Sequence, residues 1–139
     1  MIGVVLTGHG QFAPGLADSM SLIVGEQENF AVVACTPELA PEELSARLLS
    51  AVEEAGGDET LILCDLAGGT PFNETIKLLP QLGAHVEVLA GVNLPALMEA
   101  CTDRDDVTVS ELVCQLQETG RGSLSRFVLP AFDEDDLDE

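Results

Sequence analysis

The sequence has no tryptophan and no tyrosine, and only five of its 139 residues are lysine or arginine, against 25 aspartates and glutamates. The formal net charge of −20 would repel a phosphate backbone. This charge argues against binding to nucleic acid and against adhesion to an anionic membrane surface. It favours solubility and attraction to a basic partner instead.

Long apolar runs and paired cysteines are also missing. No stretch approaches the ~20 apolar residues that cross a bilayer, and the N-terminus lacks the basic region of a signal peptide. We therefore expect a soluble, cytoplasmic protein. None of the four cysteines has a partner at the two-residue spacing of a zinc knuckle or a redox dithiol, so we expect reduced and mostly buried thiols. They are Cys35, Cys64, Cys101 and Cys114.

The apolar pattern alternates between two periods. Runs typical of strands buried on both faces occur at residues 2–6, 30–35 and 60–64, and a fourth strand is indicated at 85–90. Stripes of helical spacing follow each run. We predict an α/β fold, an open doubly wound and mainly parallel sheet of order 2-1-3-4 with helices on both faces.

Capping residues and glycines set the expected helix limits. Thr70 is a plausible N-cap for a third helix that should end near Leu79, and a capping-box pattern at Thr108 begins a fifth helix that should close at Gly120.

Residues 123–129 indicate a further short strand, at an antiparallel edge or exchanged into another subunit. The domain should span residues 1–130, and residues 131–139, with six acidic residues in the last seven, should form a disordered tail.

Two reactive side chains follow strand ends. His9 comes after the first strand and Asp65 after the third, and these strands are neighbours in the predicted order. The imidazole and the carboxylate should therefore meet where ligands bind in such sheets. A carboxylate that accepts a proton from one ring nitrogen leaves the other nitrogen free, as a nucleophilic histidine requires.

A candidate anion site lies directly after Asp65. The turn formed by Gly68, Gly69 and Thr70 should present backbone N–H groups and a helix N-terminus to the same edge of the sheet. Each feature alone also has a structural interpretation, because histidines cap loops, aspartates form turns and Gly-Thr-Pro begins many helices. Their coincidence at neighbouring strand ends favours a functional site. His85 has no such carboxylate or glycine turn beside it in the predicted sheet and is expected to be a surface residue.

Five motifs follow one another along the chain: LTGHG, GEQENF, DLAGGTPFN, GVNLPAL and ETGRG. Together they resemble the IIA component of the mannose family of the bacterial phosphoenolpyruvate-dependent sugar phosphotransferase system (PTS). The resemblance covers the chain from residue 1 to about residue 130.

The resemblance implies a phosphocarrier without metal or organic cofactor. His9 would accept a phosphoryl group from phospho-HPr on Nε2 and pass it to a separate IIB component, with IIC and IID components providing the only link to a membrane. Asp65 would orient His9 through Nδ1, and Gly68, Gly69 and Thr70 would hold the phosphate. Members of the family form homodimers, usually by exchanging a C-terminal strand. The alanine at position 67 departs from the family, which often has an aromatic residue there.

Three other functions fit parts of the sequence. A flavodoxin-like module would suit the size and acidity, but the missing Trp and Tyr remove the usual stacking partners of a flavin. A receiver domain would carry its phosphoacceptor at Asp65, but it needs an acidic pair where His9 stands, and Lys77, the only lysine, lies in a predicted helix. A regulatory phosphohistidine protein of the same fold, without a cognate transporter, shares the donor chemistry and stays open.

Overall fold

A computed structural model describes residues 1–131 as a four-stranded parallel sheet covered by five helices. The strand order is β2-β1-β3-β4, as predicted from the sequence. The elements are β1 (Gly3–His9), α1 (Phe12–Val24), β2 (Phe30–Cys35), α2 (Pro41–Ala55), β3 (Thr60–Cys64), α3 (Thr70–Leu82), β4 (Val86–Ala90), α4 (Leu94–Thr102) and α5 (Val109–Ser123).

The two central strands, β1 and β3, divide the core into two layers. On one face, Leu6 and Leu63 pack under α1, α4 and α5, and on the other, Val5 and Ile62 pack under α2 and α3. Alternate residues of one strand point to opposite faces, so a strand covered on both sides needs an unbroken apolar run. This is the physical basis of the runs seen in the sequence.

Two helix limits extend beyond the predicted ones. Helix α3 continues past Leu79 through Pro80 to Leu82. Pro80 has no N–H to donate to the helix, and the packing of Leu82 on the core offsets the loss of that hydrogen bond. Helix α5 continues past Gly120 to Ser123. Gly120 lacks the positive φ with which a glycine ends a helix, and its carbonyl instead accepts a hydrogen bond from Asn93 Nδ2 at 3.0 Å.

Within the single chain, residues 123–129 do not form the predicted antiparallel edge strand, and the exchange of this segment into another subunit stays a prediction. Ser123 is the last residue of α5, and residues 124–131 have no regular secondary structure. A strand needs a neighbour for its backbone N–H and C=O groups, and this segment pairs with neither of the edge strands, β2 and β4, of the described sheet. The acidic tail falls almost entirely on residues 132–139, outside the described residues.

The end of the sheet remote from His9 is held by a buried arginine. Arg104 is 3 % exposed, and its guanidinium donates to the carbonyls of Ile2 at 3.0 Å, Asn29 at 2.7 Å and Glu28. These carbonyls lie at the beginnings of β1 and β2. One side chain therefore ties the loop after α4 to both strands.

The cysteines are all free thiols, but their burial differs from one to the next. Cys64 and Cys101 are buried, Cys35 is half-buried and Cys114 is exposed, so the expectation of burial holds for only part of the set. Burial raises the pKa of Cys64 and of Cys101 to about 11. Within residues 1–131, no helix is both long and apolar enough to cross a membrane.

Candidate functional site

The site lies at the carboxyl ends of β1 and β3, where strand order reverses. His9 is the last residue of β1, and Asp65 directly follows β3. The backbone turns sharply after His9, because Gly10 has φ +54° and its N–H donates to the Cys35 carbonyl at 2.7 Å. This turn presents the imidazole at the sheet edge.

The predicted meeting of His9 and Asp65 is present. His9 Nδ1 lies 2.7 Å from Asp65 Oδ2, and the His9 backbone N–H donates to the same oxygen at 2.9 Å. The other carboxylate oxygen accepts the Leu66 N–H at 2.9 Å. Gly8 is required here, since a Cβ at position 8 would lie 3.0 Å from Asp65 Cγ and 2.6 Å from Phe12 Cδ1.

These hydrogen bonds fix the ionisation of the carboxylate. Burial opposes the charge of Asp65, whose side chain is only 9 % exposed, but the N–H groups of His9 and Leu66 and the His9 ring outweigh it and lower the pKa of Asp65 below its ordinary 3.8. An ionised carboxylate only accepts hydrogen bonds, so Nδ1 of His9 carries the proton. In the neutral ring, Nε2 therefore holds the free lone pair.

The imidazole is open on its outer side. Its side chain is 48 % exposed, although its partner carboxylate is buried. The ring lies against the backbone of Gly69. The space between them is too small for a side chain, since a Cβ at position 69 would lie 2.4 Å from Cε1 and 2.9 Å from Nε2 of His9. The free nitrogen thus lies beside the beginning of α3.

The first turn of α3 differs in one respect from the sequence prediction. The N-cap is Gly69 rather than Thr70, and Thr70 and Pro71 are the first two helical residues. The Thr70 side chain is exposed and makes no capping hydrogen bond. Its hydroxyl and the N–H groups of the first turn are therefore at the mouth of the site, where a helix N-terminus favours an anion.

Three residues around the site were not identified from the sequence. Phe12 packs beside Gly8, Cys35 is the register partner of His9 on β2, and Asn73 donates from Nδ2 to the Gly68 carbonyl at 3.1 Å. Burial, followed by the charge of Asp65, raises the pKa of the Cys35 thiol. The signal that could have revealed Asn73 is its place in the motif DLAGGTPFN, one helical turn after the glycines.

His85 lies apart from this site, as predicted. It is exposed and precedes β4, where its carbonyl accepts the Thr60 N–H at 2.9 Å. That is the opposite end of the sheet from His9. Among residues 1–131, no cluster of three or more His, Cys, Asp and Glu side chains is arranged to hold a metal ion.

Comparison with known proteins places this chain in a family. Residues 3–117 match the family EIIA-man, described as "PTS system fructose IIA component". The sorbose-specific EIIA component of Lacticaseibacillus casei is 33 % identical over 137 residues, covering 96 % of this chain and 99 % of that protein. The fructose-specific EIIA component of Bacillus subtilis is 30 % identical over 124 residues, covering 88 % and 84 %.

Solved structures agree with the sequence comparison. The mannose/sorbose-specific IIA subunit from Enterococcus faecalis superimposes with a TM-score of 0.84 at 32 % identity, covering 94 % of this chain and 98 % of that one. An EIIA component from Streptococcus agalactiae gives a TM-score of 0.83 at 30 % identity, covering 91 % and 97 %. The chain therefore belongs to the mannose-family IIA components of the sugar phosphotransferase system, a family of phosphotransferases.

Proposed function

We propose that this protein is a phosphohistidine carrier that accepts a phosphoryl group from phospho-HPr on His9 Nε2 and passes it to a IIB component for sugar uptake. The observation that carries the proposal is the 2.7 Å contact between His9 Nδ1 and Asp65 Oδ2, which leaves Nε2 free on an open side chain. Family membership supports the same chemistry.

The transfer step balances without a cofactor. The Nε2 lone pair of His9 attacks phosphorus, the bond between phosphorus and the donor's ring nitrogen breaks, and its electron pair returns to that nitrogen. His9 keeps its Nδ1 proton and gains positive charge in the ring. The Asp65 carboxylate, already ionised and hydrogen-bonded to Nδ1, stabilises that charge.

The incoming phosphoryl group is negative and needs donors. The Gly68, Gly69 and Thr70 segment supports this role, since Gly69 lies beside Nε2 and the exposed Thr70 hydroxyl begins the helix. Because the reaction exchanges one phosphorus–nitrogen bond for another, these donors serve to position the group rather than to drive a steep reaction. The acidic surface suits a basic donor protein and steers its approach.

The C-terminal segment supports a homodimer. Leu124, Phe127, Val128 and Leu129 are each at least 70 % exposed, and β2 and β4 are open edges of the sheet. Adding residues 124–131 of one subunit to an edge strand of another would cover the exposed apolar side chains of the segment and the open edge of that strand. Light scattering of the full chain against a chain ending at Ser123 tests this. A monomeric full chain would contradict it, and a dimeric full chain with a monomeric truncation would support it.

Reconstitution tests the carrier role. The protein is incubated with phosphoenolpyruvate, enzyme I and HPr, and the adduct is followed by intact mass and by its lability in acid. We expect one acid-labile phosphoryl group, which a IIB component then removes. Labelling that requires magnesium and falls on Asp65, or no labelling while HPr is phosphorylated, would contradict the proposal. Transfer to no IIB component would favour a regulatory role.

A further inference from the structure

Asn73 lies one turn into α3 and holds both carbonyls of the glycine pair beside His9. Its side-chain Nδ2 donates to the Gly68 carbonyl at 3.1 Å, and its backbone N–H donates to the Gly69 carbonyl at 2.8 Å. The second bond is the first of the helix itself. The first bond is made by the amide side chain alone and reaches back over the turn.

The segment that Asn73 holds has few other restraints. Gly68 has φ +86°, and a Cβ there would meet nothing within 4 Å. Leu66 and Ala67, just before it, are exposed. Packing therefore does not fix residues 66–68, and their position depends on the hydrogen bonds at the two ends. At one end, the Leu66 N–H bonds to Asp65 Oδ1, and at the other, Asn73 bonds to Gly68.

The Gly68–Gly69 turn lies beside the reacting nitrogen. Gly69 lies against the His9 ring so tightly that a Cβ would come within 2.9 Å of Nε2. A phosphoryl group on Nε2 would meet the N–H groups of this turn and of the first turn of α3. Since hydrogen bonds weaken steeply with distance and angle, a loosened turn would hold the phosphoryl group less well.

We propose that Asn73 is a positioning residue that holds the Gly68–Gly69 turn in place for the phosphoryl group on His9. The inference rests on the proposed function and adds a residue to it. Asn73 touches neither the Asp65 carboxylate nor, by its contacts, the imidazole. Its loss should therefore lower the stability of the phosphorylated form relative to the unphosphorylated form and leave the Nδ1 hydrogen bond in place.

The test is the equilibrium of phosphoryl exchange with HPr. Intact mass gives the phosphorylated fraction at set ratios of phospho-HPr to HPr, for wild type, Asn73→Ala and Asn73→Asp. If the loosened turn loses about one net hydrogen bond to the phosphoryl group, the phosphorylated form loses about 0.5–1.5 kcal/mol of stability. The exchange constant should then fall roughly two- to tenfold in Asn73→Ala. Asn73→Asp, with a side chain of the same shape that cannot donate when ionised, should fall at least as far.

A matched control separates positioning from general stability. Asn29 also donates from Nδ2 to a backbone carbonyl, that of Ala55 at 2.7 Å, but it precedes β2 at the opposite end of the sheet. Asn29→Ala should lower the melting temperature and leave the exchange constant and the phosphorus chemical shift unchanged. Asn73→Ala should change both of the latter.

The outcomes distinguish the two proposals. A wild-type exchange constant in Asn73→Ala, while wild type is phosphorylated normally, overturns the role of Asn73 alone. An equal fall of the constant in Asn29→Ala also overturns it, because the effect would then follow stability. Wild-type protein that takes no phosphoryl group from phospho-HPr overturns the proposed function and this inference together.

Discussion

Oδ2 of Asp65 accepts two hydrogen bonds from one residue, the ring Nδ1–H of His9 at 2.7 Å and the His9 backbone N–H at 2.9 Å. The carboxylate thus fixes both the tautomer of the ring and the position of the chain that carries it. The same oxygen could not do this if the two strands were not neighbours in the sheet.

Replacing Asp65 by asparagine should slow phosphorylation of His9 without unfolding the protein. A hydrogen bond to a charged group is worth about 1.5–3 kcal/mol, so the rate should fall roughly ten- to a hundredfold. Rapid-quench kinetics with phospho-HPr measures the rate. Asp58→Asn, at the opposite end of the sheet, is the control. Equal rates in wild type and Asp65→Asn would show that the contact has no part in the transfer.

A methyl group at position 69 should displace the His9 ring. A Cβ there would lie 2.4 Å from Cε1, so Gly69→Ala should reduce the phosphorylation rate at least tenfold. Gly15→Ala in α1 is the same substitution at a place where a Cβ meets nothing, and it should raise the unfolding free energy by about 0.5–1 kcal/mol. Normal phosphorylation of Gly69→Ala would refute the tight packing of the ring on this turn.

The ionised carboxylate predicts a pH dependence of stability. The pKa of Asp65 in the folded protein lies below its ordinary 3.8, so its ionisation stabilises the fold above that pH and the stabilisation is lost as pH falls through the folded pKa. The difference in unfolding free energy between wild type and Asp65→Asn should therefore favour wild type at pH 7 and shrink below about pH 4. Urea titrations over this range measure it. A difference that stays constant with pH would contradict the lowered pKa.

Arg104 should be among the most destabilising polar positions to change. Arg104→Met fills much of the space but removes the guanidinium donor of the Ile2, Asn29 and Glu28 carbonyls, of which only that of Asn29 keeps a strand partner, the Val4 N–H. We expect a loss of about 3 kcal/mol in unfolding free energy, measured by urea denaturation. Arg47→Met, at an exposed position, should change it by less than about 0.5 kcal/mol. Similar values for the two variants would contradict the account of Arg104.

The sequence predicted well the features that depend on the residue pattern of one strand and on the residues at its end. Buried strands need unbroken apolar runs, so the strands themselves followed from local patterns. The order 2-1-3-4 was expected because it is common in doubly wound sheets, and in that order the ends of β1 and β3 lie side by side, which predicted the contact of His9 with Asp65. The N-cap was missed because Gly69 and Thr70 are both acceptable caps, and the path of the loop decides between them.

Other features depend on the path of a turn, on partners that are distant in the sequence, or on partners outside the chain. Asn73 looks like an ordinary helix residue until the turn brings Gly68 back within 3.1 Å of its amide. Arg104 lies 102 residues from Ile2, whose carbonyl it bonds. Residues 123–129 were predicted as a strand, but a strand requires an edge to pair with, and within the single chain this segment pairs with neither β2 nor β4.

The most direct test of the central claim identifies the nitrogen that carries the phosphoryl group. The protein, labelled with ¹⁵N in its histidines, is phosphorylated through HPr, and nuclear magnetic resonance reports which ring nitrogen is bonded to phosphorus. His85→Ala, which removes the only other histidine, is the matched control. We predict that the bond is to Nε2 of His9, is unchanged in His85→Ala and is absent in His9→Ala. A phosphoryl group on Nδ1 of His9, on His85 or retained in His9→Ala would contradict the account.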